Sequence, residues 1–161
     1  MQPPRRTSSA GAPSARAPAD GTLRILRASL KPKLYRDIEV DSEASLSALA
    51  EAIIAAFEFD FDHAFGFYSK LDGDYQASPE KYELFADMED NDSDAGSVAK
   101  TTVSKAFTKV GKKMLFVFDY GDEWCFQVEL VKLGSKAPGL RYPRLLVAVG
   151  DAPEQYPDMD D

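Results

Sequence analysis

Two apolar runs flank a tight acidic turn in residues 114–133, and this stretch limits what the chain can fold into. Residues 114–119 and 124–133 read as strands. In the second, Trp124, Phe126, Val128 and Leu130 alternate with Cys125, Gln127 and Glu129. A period of two puts the four apolar side chains on one face of a strand. Between the strands, Gly121 can take positive φ and the Asp side chains can bond nearby backbone amides. A link this short joins antiparallel neighbours. The stretch is therefore a β-hairpin near the centre of a sheet, with carboxylates at its tip and one face that needs a covering layer.

Upstream segments supply the rest of such a sheet. Residues 23–30 are apolar, Lys31-Pro32-Lys33 breaks them, and residues 34–40 alternate with Leu34, Arg36, Ile38 and Val40 on one face. Two runs joined by a Pro-bearing turn make a hairpin. Lys31, Lys33 and Arg36 read as a solvated turn, with a binding patch as the alternative. Ser45 stands where an N-cap belongs, and Leu46, Leu49, Ala50, Ile53, Ile54 and Phe57 recur at helical spacing. That helix, 45–57, packs on the sheet; a partner-docking groove is its other reading. Phe59, Phe61, His63, Phe65 and Phe67 alternate, so an extended segment there sets His63 among aromatics, as a packed or rim histidine or as a ligand.

Later segments are shorter. Residues 82–85 suggest a brief strand. Residues 87–94 hold five carboxylates in eight positions and read as an exposed loop. A calcium loop starting at Asp90 would need Gly and Glu where Ala95 and Thr101 stand, so no metal site is assigned. Val103, Ala106, Phe107 and Val110 suggest a second helix over 102–110, ended by Gly111. Lys105, Lys109, Lys112 and Lys113 lie on or beyond it, as cations at a helix C-terminus or as a contact for phosphate or an acidic partner. Residues 145–149 form a last apolar run, closed by Gly150. The expected fold is α+β: a mostly antiparallel sheet of about five or six strands with one main helix on a face. Its β-β-α opening is compatible with a β-grasp-like core.

Residues 1–20 hold no Leu, Ile, Val or aromatic side chain and read as a disordered tail, with 158–161 a short acidic end. Pro3, Pro4, Pro13 and Pro18 oppose a targeting helix around Arg5, Arg6 and Arg16. Nineteen Lys and Arg against 27 Asp and Glu give a net charge of −8. Such a surface repels phosphate backbones, so direct nucleic-acid contact would rest on those arginines and the lysine cluster against the global field. A basic protein or peptide is the easier partner. Cys125 is the single cysteine, which suits a cytoplasmic chain without internal disulfides. No apolar run nears the roughly 18 residues of a membrane span. Neither a Gly-rich phosphate loop nor a nucleophile elbow is present, and one His with one Cys cannot build a four-ligand zinc site. No cofactor is implied.

Phe118-Asp119-Tyr120-Gly121-Asp122-Glu123-Trp124 resembles the hallmark of the plasmid pRiA4b ORF-3-like family, an apolar strand leading to Tyr/Phe-Asp-Tyr/Phe-Gly-Asp-x-Trp. Other family features look similar in order: Pro32 with the strand after it, the capped helix at Ser45, His63-Ala64-Phe65-Gly66-Phe67, and Pro143, Gly150 and Pro153-Glu154. The resemblance covers residues 21–157. It departs at Phe126, where members commonly carry a His, and at Gln155-Tyr156-Pro157, where many continue Pro-Glu with Asp and glycines. The resemblance implies a setting among plasmid or mobile-element genes and no settled activity.

Two functions follow as expectations. The leading one is a non-enzymatic interaction module that holds a protein or peptide in a groove lined by His63, Tyr120, Asp122 and Trp124. The alternative is a small hydrolase-like or metal-dependent enzyme using His63, Asp119, Asp122 and Glu123, with Glu154 nearby, because apolar walls split the pKa values of paired carboxylates. The plainest reading of the same residues is a hairpin turn beside a core Trp. Convergence of the acidic side chains and His63 on one cleft separates these readings.

Overall fold

The structure is a computed structural model that describes residues 20–87 and 94–157. The readings placed on the N-terminal tail, on most of the acidic loop and on the acidic end lie outside the described residues. The fold is α+β. Among the described residues the strands and α-helices run in order: β1 (Leu23–Lys31), β2 (Leu34–Asp41), α1 (Leu46–Ala56), β3 (Phe65–Tyr68), β4 (Lys81–Glu83), β5 (Gly96–Ser97), α2 (Val103–Ala106), β6 (Lys113–Phe118), β7 (Trp124–Gly134) and β8 (Arg144–Val149).

The expected hairpin is β6–β7, in register from Lys113 opposite Glu129 to Phe118 opposite Trp124. β1 and β2 form the second hairpin, and β1 lies antiparallel against β7, so the two hairpins join through their long strands. The eight strands lie in the order β5-β4-β3-β6-β7-β1-β2-β8, antiparallel except for β4 with β5. That exceeds five or six because β3, β4 and β5 are only four, three and two residues long and too short to carry a clear period.

The helix α1 begins where expected. Ser45 adopts an extended conformation and its hydroxyl accepts from the Ala48 amide at 3.1 Å. Leu46, Leu49, Ala50, Ile53 and Ile54 are buried against Leu26, Ala28, Ile38, Val40, Phe116, Phe126 and Val128, all on one face of the sheet. Full burial of one such side chain contributes about 1.5–3 kcal/mol. The opposite face carries a smaller apolar cluster of Tyr68, Leu115 and Val117, with Tyr75 and Tyr120 packed on it.

Four local expectations change. Arg36 is not in a solvated turn but 4% exposed. Its guanidinium lies 4.6 Å over the Phe57 ring and donates to the carbonyls of Ala56, Tyr35 and Val149. It thereby satisfies the end of α1 and holds β8 in place. The aromatic alternation through residues 59–67 is not one strand: β3 starts only at Phe65. The second helix spans four residues rather than 102–110, because the Phe107 side chain turns into the core. The strand expected at 82–85 ends at Glu83 and gives way to a 3-10 turn, Leu84–Asp87. Of the four lysines near α2, Lys112 binds Glu80 at 3.0 Å and donates at 2.8 Å to the carbonyl of Ala106, the last residue of that helix.

Candidate functional site

The acidic turn is built by two non-glycine residues with positive φ, Asp119 at 66° and Glu123 at 51°. Such angles are uncommon for side-chain-bearing residues and persist where local bonds hold them. Here Oδ1 of Asp119 accepts from the Gly121 and Asp122 amides at 3.1 and 3.3 Å. Its backbone amide donates to the Ala64 carbonyl at 2.9 Å, which fastens the turn to the segment carrying His63. Asp119 is buried and is chiefly a turn former, with only Oδ2 left over.

That second oxygen lies 3.5 Å from Nε2 of His63. The other ring nitrogen, Nδ1, lies 2.7 Å from Oδ1 of Asp62. His63 thus sits between two carboxylates, edge-on to Phe118 at 6.0 Å. Tyr156 completes the group: its hydroxyl donates to Oδ2 of Asp62 at 2.9 Å and lies 3.1 Å from His63 Nδ1. Loss of hydration raises the Asp62 carboxyl, but the bonds from Tyr156 and His63 outweigh it and hold the group below the usual range. Desolvation first, then the bond to Asp62, pushes the Tyr156 phenol up to about 12.

The C-terminal segment reaches this place because Gln155, which is buried, brackets Asp60. Its Oε1 accepts from the Asp60 amide at 2.7 Å and its Nε2 donates to the Asp60 carbonyl at 3.0 Å. Beside that seam opens a cleft of about 510 Å³ lined by Phe57, Glu58, Asp60, Glu154, Gln155 and Tyr156 among others, with no Lys or Arg in its lining. Three carboxylates border it, and Tyr156 is 51% and Phe61 41% exposed close by. Carboxylates beside open aromatic faces suit a cationic group.

The remaining candidates part company. Glu123 accepts from the Tyr75 hydroxyl at 2.7 Å, and Tyr75 packs on Tyr68 at 4.8 Å on the face away from α1. Tyr120 lies on that face too, 2.7 Å from the Tyr68 hydroxyl and stacked on Phe85. Trp124 packs edge-on to Phe59 at 4.8 Å against the helix-side core, and its Nε1 is buried without an acceptor. Asp122 stays exposed at the hairpin tip, near enough to raise the Tyr156 phenol. His63 and Asp119 therefore meet, Asp122 stands near Tyr156, Glu123 and Tyr120 bond on the face away from α1, and Trp124 packs on the helix side. Among the described residues no group of three or more His, Cys, Asp or Glu side chains is placed to hold a metal ion.

Asp62, Gln155 and Tyr156 were not singled out from the sequence. Tyr156 and Gln155 lie 93 to 95 residues from their partners, and no local period marks them. The only signal was their place directly after Pro153-Glu154, where the chain departs from the family's late motif.

Comparison with known proteins agrees with the fold. A family model described as plasmid pRiA4b ORF-3-like protein matches residues 21–157. No curated protein matches the chain. Among solved structures, a protein of unknown function from Methanosarcina mazei Go1 superposes with a TM-score of 0.63 at 22% identity, over 81% of this chain and 70% of that one. At that identity the likeness is one of fold.

Proposed function

The chain belongs to the plasmid pRiA4b ORF-3-like protein family, and from that premise we propose that it is a non-enzymatic binding module for a basic segment of a partner protein or peptide. The observation that carries the reading is the cleft between residues 57–60 and 152–156. It is edged by Glu58, Asp60 and Glu154, walled at one end by Tyr156, and contains no cation of its own. A net charge of −8 steers a basic partner toward it. The enzyme alternative needs His63, Asp119, Asp122 and Glu123 on one cleft. Tyr75 draws Glu123 to the other face, and the turn amides occupy Asp119. No helix among the described residues is long and apolar enough to cross a membrane. We place the module in the cytoplasm on the strength of its single cysteine, in the plasmid or mobile-element setting its family name suggests.

The test is fluorescence anisotropy of the full chain with short labelled peptides of equal length, one set rich in Lys and Arg, the other in Asp and Glu. Basic peptides bind, affinity falls as salt rises, and Glu154→Lys together with Tyr156→Ala weakens binding by about tenfold or more. Equal affinity for both sets, or basic binding indifferent to the double substitution, would refute the reading.

A further inference from the structure

The two edges of the sheet are built differently. One ends in β5, which is only two residues long. The other ends in β8, six residues from Arg144 to Val149, paired among the described residues with β2 alone. Short strands, charges and prolines are the usual protections of a sheet edge. β5 has the first of these. β8 has Pro143 before it and Arg144 at its first position, but Leu145-Leu146-Val147-Ala148-Val149 holds no charge or proline, and Leu145 and Val147 are 47% and 40% exposed. A register slip against β2 at Leu146 leaves that leucine exposed as well.

We propose that β8 pairs antiparallel with β8 of a second copy of this chain about a two-fold axis, continuing one sheet across both protomers. What an edge strand lacks is another strand, because its outward N–H and C=O groups need partners in register. Charge selects the second copy and the antiparallel sense. Arg141 precedes β8 and Arg144, bonded to Glu39 of β2 at 3.0 Å, opens it, while Asp151 and Glu154 follow it. Antiparallel self-pairing sets each basic end beside the partner's acidic end, whereas parallel pairing sets like against like. Alongside β8 a groove of about 250 Å³ runs against α1, lined by Ile38, Ala52, Ala55, Ala56, Pro143 and Leu145, with Arg144 as its one charged member. Alanines on that flank leave room for apolar side chains from across the axis.

Sedimentation equilibrium of the full chain decides the matter. The expected mass is twice 17.7 kDa at micromolar concentration. Val147→Lys, and separately Leu145→Glu, should return the protein to monomer while circular dichroism stays that of the parent. A parent that is monomeric, or a dimer that survives both substitutions, overturns the proposal. Hydrogen exchange of the parent gives a reading without any variant. Protection of the amides of residues 145–149 should rise with protein concentration. Protection independent of concentration means that the same chain covers the edge, and overturns it equally.

Discussion

Gly66 shows how one missing side chain organises a whole face. It sits in β3 opposite Glu83 and Val117, and a Cβ built there would fall 2.7 Å from the hydroxyls of both Tyr68 and Tyr120. Those hydroxyls bond to each other, and the Tyr68 hydroxyl also donates to Glu83. Gly66→Ala must push them apart. It should cost about 1–3 kcal/mol in denaturant unfolding, and a loss below that range would mean the two rings can shift without penalty. The candidate site offers a second test at this scale. Asp62 carries a carboxyl lowered in the folded state against 3.8 in the reference. Its stabilising share is therefore complete above the ordinary carboxylate range and disappears as pH drops through the lowered value. The melting temperature of Asp62→Asn should lie below that of the parent at neutral pH and converge with it in acid. A gap that does not change with pH would contradict the assignment.

Among elements, the long ones were legible and the short ones were not. The β6–β7 hairpin, the β1–β2 hairpin and α1 announce themselves by apolar runs or by period: β7 and α1 bury one face, whereas β6 is buried on both and reads as a continuous apolar run. β5 and α2 are too brief to hold a period, and they are held by contacts with other segments, such as the Val103 amide of α2 donating to the Ala44 carbonyl. The aromatic alternation through residues 59–67 misled because its members serve different neighbours. Phe59 meets Trp124, whereas Phe61 stacks on Phe118 and Phe65 pairs beside it in the sheet. Arg36 misled for a related reason: a cation on the apolar face of a strand is expected in water, yet carbonyls from α1 and β8 supply its acceptors. Arg36→Leu should cost about 2–4 kcal/mol, because the carbonyls it served stay buried. It should also speed hydrogen exchange in residues 145–149 more than in β6. Uniform exchange across the sheet would show that the guanidinium does not anchor the edge.

At the scale of the molecule, tyrosines and carboxylates are matched across the fold. Tyr75 meets Glu123, Tyr82 meets Glu80 and Tyr156 meets Asp62, each at 2.7 to 2.9 Å. Together with Tyr68 and Tyr120 these phenols are raised above 10.0, by burial first and by carboxylate neighbours in most cases. A phenol raised in the folded state stabilises it fully below the ordinary value and withdraws that support as pH climbs through the raised one. Tyrosinate absorbance should therefore rise late, with Tyr120 near 12, and should rise together with loss of the fold. A simple titration of all seven tyrosines near 10.0 would refute this. Only part of the candidate site could be read in advance. Its histidine and turn were visible because they fall within short motifs, while Tyr156 and Gln155 were not, since folding alone brings them to residues 60–63. The Gln155 seam has a consequence of its own. A primary amide that offers one acceptor to the N–H and one donor to the C=O of a single residue imitates a neighbouring strand, and it recognises the path of the main chain without regard to the side chain of that residue. Residue 60 is then open to substitution without loss of docking. Gln155→Glu, although nearly identical in shape, replaces the donor with an anion facing the Asp60 carbonyl, and the last segment of the chain should peel away like a zip with one tooth reversed.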